Sequence, residues 1–468
     1  MAPAGKFAQE RGAGMGCWTP PGLRPGRPRE SAELRRLRRG LYVFSALNDF
    51  VPLVPVVALR FSDAGLSSVE VSSLFGLLAV SALLLEVPSG AWADVASRRM
   101  LLALGAVLRA ACFVLWVLAP SYPAFVAGVL LWGACHALTS GTLEALVYDE
   151  LSAKASAASY PRLLGRSRVG ALASNVLATL MATPLLAVGH YALVEALSAA
   201  VCAATAGAAL YLPEARDARL GRPAAEGHPV TEGDPVTDGR AAAGVRLAEP
   251  AVARYLAMLR AGLAEVRGDP AVRRAAAVAA VLPAVLVIDE YLPLLVRSTG
   301  ISTAFVPLLV ILAVVGKALG GWLAGPLAGL GASRLAAALA VAAALLPAGS
   351  LGRHPLGILP VALCLGTVQL AIVLSQARLQ DAVRSDARAT VTSLAGLGTD
   401  AVAIAFYVAY GVGSLWGNVS VVIAGFAAVP LLLALVVPRW LPGPGAATGP
   451  GRRESAAVRA ETEAVDPG

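Results

Sequence analysis

The sequence predicts an all-α polytopic membrane protein: twelve transmembrane helices in two pseudo-symmetric six-helix halves. Three observations lead there. The 468 residues are 57% apolar and only 15% charged, with mean hydropathy +0.70, whereas soluble domains carry roughly 25% charged residues. Apolar runs recur along the chain, each of the roughly 20 residues a helix needs to cross a hydrocarbon core of about 30 Å. Two stretches repeat in the second half of the chain at offsets of 231 and 232 residues. Lipid offers the backbone no water, so repeated spans of this length imply a helical bundle.

The elements follow in order. Residues 1–40 are polar and Arg-rich, without the apolar core and cleavage site of a signal peptide, so insertion is expected to begin at the first span. An N-terminal half is expected over 41–212, with spans near 41–60, 70–92, 99–119, 122–143, 166–188 and 190–212. Residues 213–271 read as a linker, its first part (213–250) rich in Pro, Gly, Glu and Asp and without apolar periodicity. In the rest, Val252, Leu256, Leu259, Leu263 and Val266 recur at helical spacing among Arg254, Arg260 and Arg267, as suits a helix lying on a membrane surface. A C-terminal half is expected over 272–438, with spans near 272–297, 301–327, 333–349, 357–379, 389–411 and 415–438, then a disordered tail over 439–468.

Charge orients the bundle. With both ends in the cytoplasm, cytoplasmic segments hold 33 of the 38 basic residues; Arg60, Arg297 and Arg353 fall outside, and Arg109 and Lys317 lie within spans. The opposite orientation would invert the positive-inside bias. The net charge of +8 is therefore a topology signal, not a nucleic-acid footprint. Four of the five cysteines (Cys112, Cys135, Cys202, Cys364) lie in apolar runs and Cys17 in the tail, so neither a metal site nor a disulfide framework is expected. No cofactor is expected.

The repeat pairs Gly90-Ala-Trp-Ala-Asp94 with Gly321-Trp-Leu-Ala-Gly325, and Thr142-Leu-Glu-Ala-Leu-Val-Tyr-Asp149 with Leu374-Ser-Gln-Ala-Arg-Leu-Gln-Asp381. Each pair holds the same topological position, which implies duplication of a six-helix unit. The loop Glu86-Val-Pro-Ser-Gly-Ala-Trp-Ala-Asp-Val-Ala-Ser-Arg-Arg-Met100 resembles the signature loop of the major facilitator superfamily, G-x-x-x-D-x-x-x-R-R/K, at Gly90, Asp94, Arg98 and Arg99. The resemblance covers about residues 38–438 and implies a secondary transporter working by alternating access. In such a loop Gly90 permits close helix approach, Asp94 faces a helix N-terminus, and Arg98 pairs with a carboxylate closing the fourth span, for which Glu144 and Asp149 are candidates. The resemblance implies that this cluster latches the halves while the cavity faces outward. The second copy lacks the Asp, so its latch is expected to be weaker. The fifth span reads Gly170-Ala-Leu-Ala-Ser-Asn-Val-Leu-Ala-Thr, without the G-x-x-x-G-P-x-x-G-G of drug–proton antiporters, and His136 and Ala137 stand where the family's fourth-span Arg is sought.

Ionisable side chains inside spans are costly and ask for a reason. Asp49, beside Asn48 and ahead of Pro52 and Pro55, lies 11 residues before Arg60, about 16 Å from the outer end at 1.5 Å per residue. It is the leading candidate for proton or cation binding. Asp289 and Glu290, in the seventh span, point about 100° apart on a helix, so one is expected to face a cavity. Asp400 is a candidate at the seam between halves. Glu86 and Lys317 occupy equivalent places in the two halves, and a structural role is expected for both. Arg109, on a span usually peripheral in this family, is expected in a buried structural ion pair. His136 is either a proton shuttle or a packing residue. Gly316, Gly320, Gly321 and Gly325 form small-xxx-small pairs suited to close helix contact.

The expected function is proton-coupled export of a small organic or drug-like compound across the cell membrane, with metabolite uptake by symport, or a non-transporting membrane sensor, as alternatives. An enzyme is not expected: the four histidines (His136, His190, His228, His354) are widely separated and form no catalytic set.

Overall fold

The computed structural model describes residues 32–153, 159–214, 260, 263–264, 266–383, 388–441 and 443. The side chains of 87, 91, 93–95, 189–190 and 388–389 lie outside the described part. So do the predicted linker 215–259, most of its amphipathic stretch, and nearly all of both tails. Among the described residues there is no strand, and twelve helical segments are long and apolar enough to cross a membrane.

The spans are Ala32–Asp63, Ser68–Glu86, Arg98–Leu118, Tyr122–Ala153, Tyr160–Val188 and Tyr191–Tyr211, then Pro270–Arg297, Thr303–Leu323, Ala332–Leu351, Pro355–Ala382, Thr390–Gly413 and Val419–Trp440. Two expectations need correction. The first helix begins at Ala32, not near 41, because Leu37, Gly40 and Leu41 bury one face while Arg35, Arg36 and Arg39 fall on the exposed one. The fifth and sixth spans share one helical stretch, Tyr160–Tyr211. Ser45 bonds Ser167 at 2.6 Å and Gly40 faces Leu212, so both ends of that stretch lie beside the start of the first span. The chain therefore folds back at Gly189-His190.

Local chemistry sets the starts of the spans. Ser67 and Glu70 form a reciprocal capping box at the second helix, Ser67 Oγ accepting from Glu70 N while Glu70 accepts from Ser67 N at 2.8 Å. Asp269 accepts from Ala271 N at 2.7 Å and Asn418 from Val421 N at 3.1 Å, capping the seventh and twelfth spans. Gly141, at φ +69°, takes the left-handed turn that divides the fourth span into Tyr122–Thr139 and Thr142–Ala153.

Three spans are broken within the membrane: the twelfth at Phe426-Ala427, between Val419–Gly425 and Ala428–Trp440, and the first and seventh at a 3-10 turn. The first runs as a helix over Ala32–Asp49, opens, and resumes as a 3-10 turn at Val54–Val56 and a helix at Val57–Asp63. The seventh runs over Pro270–Ala284, a 3-10 turn at Val285–Val287, and Ile288–Arg297. The two 3-10 turns stand 231 positions apart, the same offset as the sequence repeat. Discontinuous helices at equivalent places in two repeats mark the binding region in transporter folds.

The buried apolar groups divide unequally. The largest cluster runs through both halves, from Val51, Phe61 and Phe75 to Tyr291 and Tyr410. A second, around Leu41, Leu102, Val147 and Ala209, belongs to the N-terminal half alone; a third, around Val272, Ala279 and Leu379, belongs to the C-terminal half alone. Both smaller clusters lie toward the face that carries the start of the first span and the Arg98 loop, called the basic face below. The halves share apolar contact on the far side and part on the basic side.

Within the C-terminal half the eighth and tenth spans meet backbone to backbone. A Cβ at Gly320 would overlap the Gly366 carbonyl, and one at Gly316 the Ala362 carbonyl. Gly320→Ala is therefore expected to destabilise the protein by about 1–3 kcal/mol in thermal unfolding in detergent, as an overpacked contact does. Gly321→Ala, whose Cβ would meet only Gln369 Cγ at 3.9 Å, is expected to leave the unfolding midpoint unchanged.

Candidate transport site

A cavity of about 980 Å³ lies between the halves. Its wall includes Asn48 and Asp49 of the first span, His136 and Glu144 of the fourth, Arg168 and Asn175 of the fifth, and Lys317 and Gln369 of the eighth and tenth. The lining residues of the fifth and eighth spans, Leu164 to Asn175 and Val314 to Trp322, belong to the parts of those helices nearest the basic face. The cavity therefore opens toward that face. Phe44, Leu102, Leu172, Leu286 and Trp322 give the wall a large apolar share.

Asn48 and Asp49 are the last two residues of the first half-helix. Phe50 N still makes a helical bond, to Ala46 O at 3.0 Å, whereas Leu53 N leaves the ladder and donates to Ser198 Oγ of the sixth span at 3.1 Å. Arg109 Nη2 donates to Asn48 O at 2.8 Å and to Asn48 Oδ1 at 3.0 Å. This corrects two expectations for Arg109. It is not peripheral, because its guanidinium reaches the cavity-lining span; and its contacts are hydrogen bonds to Asn48 in place of an ion pair. Asp49 makes no hydrogen bond or ion pair among the described residues, while Arg109 and Arg168 both lie within electrostatic reach of it.

In the C-terminal half Lys317 Nζ pairs with Asp289 Oδ2, and Asp289 Oδ1 is buried without a partner. Of the three charged groups there, Lys317 lines the cavity and neither Asp289 nor Glu290 does, so the expected division is reversed. Asp289 is turned to Lys317 of the eighth span, and of the pair it is the lysine that lines this cavity. Glu86 and Asp400, on the second and eleventh spans, lie within electrostatic reach of one another across the seam, away from the cavity wall.

On the basic face Arg98 Nη1 pairs with Asp149 Oδ2 at 2.6 Å. Glu144 instead pairs with Arg168 at 3.2 Å on the cavity wall. Gly90 is exposed, Arg99 stands 3.6 Å from Glu214, and the Asp94 side chain lies outside the described residues. Glu214, just past the sixth span, accepts from Arg98 N at 2.7 Å and from Ser97 Oγ, so it sits on the positive end of the third helix. In the C-terminal half the arginine changes sides: Arg378 of the tenth span donates to Leu330 O in the equivalent loop. Arg168, Glu214 and Arg378 were not singled out by sequence, because each reads as one more basic-face charge or span end.

The far side is shut in two layers. Phe75, Tyr291, Tyr407 and Tyr410 pack across the seam, Tyr291 stacking on Tyr410 with centroids 3.5 Å apart and bonding Ser72 Oγ at 2.7 Å. Beyond them Arg297 of the seventh span pairs with Asp63 of the first and donates to Ser62 Oγ at 2.6 Å. Tyr191 of the sixth span donates to the other Asp63 oxygen at 2.7 Å. Arg60, held by Glu195 at 2.5 Å, braces the N-terminal side of this layer.

No curated protein matches the chain significantly by sequence. Its structure is similar to that of the nucleoside transporter NupG (TM-score 0.64, 15% identity, 86% of this chain and 98% of that one). It is similar also to a D-xylose-proton symporter (TM-score 0.62, 14% identity, 88% and 99%) and to the inward-open xylose transporter XylE from E. coli (TM-score 0.56, 16% identity, 91% and 98%). At these identities the likeness concerns the fold. The profile of the Major Facilitator Superfamily matches residues 40–407. With twelve spans, paired breaks and a cavity open on one face only, the chain belongs to the Major Facilitator Superfamily and is a transporter of the alternating-access kind.

Proposed function

We propose that this transporter exports a small amphipathic organic compound across the cell membrane in exchange for protons, with Asp49 as the proton carrier. The observation that carries the reading is Asp49 itself: a carboxyl group on the cavity wall, at the end of a broken helix, without an ion pair or hydrogen bond among the described residues. A carboxylate in that position exchanges a proton with whichever side the cavity faces, and competes for it with a bound cation or donor. Cavity size and wall chemistry support the substrate class. A volume of about 980 Å³ is at the upper end for small-molecule sites, and its mainly apolar wall carries a few fixed polar groups. Both termini are taken as cytoplasmic on the positive-inside bias, so this cavity loads from the cytoplasm.

Asp289 and Glu290 are the second-ranked carriers, and Asp400 with Glu86 belongs to the moving seam. Gly90, Asp94, Arg98 and Arg99, with Asp149, form the basic-face gate in this reading, and Glu144 with Arg168 the cavity mouth. Arg297 and Asp63 form the opposing gate. The partners are the bilayer, a small-molecule substrate and the proton.

Proteoliposomes under an imposed pH gradient test the reading. Flux of amphipathic compounds is expected to run opposite to the proton, with pyranine reporting matched proton movement. Asp49→Asn is expected to cut gradient-driven accumulation at least tenfold while retaining exchange at equal concentrations. Solute moving with the proton would replace export by symport uptake. No flux across a broad panel would favour a sensor.

The far-face gate gives a second prediction. In a cysteine-less background carrying Leu286→Cys, a membrane-impermeant maleimide added on the far side is expected to label slowly. Arg297→Ala is expected to raise that rate several-fold by releasing Asp63 and Ser62. An unchanged rate would mean that the aromatic layer alone holds the far side shut.

A further inference from the structure

We infer that Arg109 is the positioning residue of the transport site: it supplies the hydrogen bond that Pro52 removes from the first span, and so fixes Asn48 and Asp49 at the break. In an unbroken helix the carbonyl of Asn48 accepts from the amide of residue 52. That residue is proline and has no N–H. The carbonyl of Asp49 would accept from Leu53 N, which is turned away to Ser198 Oγ at 3.1 Å. Two consecutive carbonyls in mid-membrane are thus left without their helical donors. Arg109 Nη2 meets the first of them at 2.8 Å and takes Asn48 Oδ1 at 3.0 Å, holding main chain and side chain together next to Asp49. A guanidinium at a helix C-terminus also complements the helix dipole.

The arrangement is costly enough to need this reason. Arg109 is 8% exposed, and its Nε is buried without a partner. The titratable groups around it are Asp49 of the first span, Cys135 and His136 of the fourth, Cys202 of the sixth and Cys112 of its own helix. The seventh-span break has no residues that match this anchor. At the repeat offset of 231, Pro283 matches Pro52, but Ala279 matches Asn48 and Ala340 matches Arg109. There the chain closes through the 3-10 turn Val285–Val287 and continues as a helix at Ile288. The anchor is therefore a property of the N-terminal half alone, where the open stretch is longer.

The inference about coupling rests on the reading of Asp49 as carrier; the inference about anchoring does not. Two measurements on the purified full-length protein separate them. Hydrogen–deuterium exchange over residues 46–54 reads the break directly. Gradient-driven accumulation against equal-concentration exchange, in proteoliposomes, reads coupling. Arg109→Lys keeps the charge but replaces the planar guanidinium that reaches both Asn48 oxygens, and Arg109→Gln removes the charge. Both are expected to speed exchange over 46–54 about tenfold and to lower accumulation about tenfold. Equal-concentration exchange should fall less than threefold. Asn48→Ala added to Arg109→Lys is expected to change accumulation less than twofold further, because the two act as one unit. Unchanged protection over 46–54 in both arginine variants would overturn the inference. Lost protection together with wild-type coupling in Asp49→Asn would leave the anchor standing and remove Asp49 as carrier. Should neither arginine variant fold, Asn48→Ala alone is the test: a partial loss of protection supports the anchor, and none overturns it.

Discussion

In hydrocarbon a peptide group has no water to turn to, and an unpaired one costs several kcal/mol. The break in the first span is organised around that constraint. The first span opens for four residues at mid-depth, and the opening persists because Ser198 and Arg109, from two other spans, take up the groups that Pro52 and the turn leave over. The seventh span opens less and mends itself through a 3-10 turn. Asn48 and Asp49 at the first break, and Leu286 at the second, lie on the wall of the cavity.

The same economy separates what moves from what does not. Each half has its own apolar cluster on the basic side, and a shared one binds them on the far side. Polar contacts follow the division. Arg98 with Asp149, Glu214 with the third helix, and Arg378 with Leu330 O all stay within one half, whereas Arg297 with Asp63 crosses between them. Rocking one half against the other breaks the crossing contacts and leaves the internal ones alone. Backbone contact at Gly320 and Gly366 helps the C-terminal half to move as a unit.

Much of this was legible in the sequence, for identifiable reasons. Spans are legible because apolar length is a one-dimensional property, and the halves because duplicated segments keep their offset, which recurs in the two 3-10 turns. Pro52 and Pro55 stand in plain view beside Asp49, but the apolar run through them reads as one continuous span over 41–60, so the break does not show in one dimension. Which way a helix faces is not one-dimensional, and there the reading failed. The sequence puts Arg109 in a buried ion pair, where the structure has it on Asn48, and it leaves open which of Asp289 and Glu290 faces a cavity, where the structure pairs Asp289 with a cavity-lining Lys317. Arg168 escaped notice for a related reason: three arginines lie within Arg162–Arg168 at the start of the fifth span, and nothing in the spacing marks the one that reaches inward.

The distribution of polar anchors has a consequence for how such a protein can change over time. Asn48 is tied to Arg109, but Leu172 and Val314 share the cavity wall with it and belong to none of the three buried apolar clusters. Replacing them would reshape the chamber without touching the bonds that hold the break. A lineage built on this scaffold is free to shift from one cargo to another by single substitutions, while the machinery that opens and closes it is inherited unaltered.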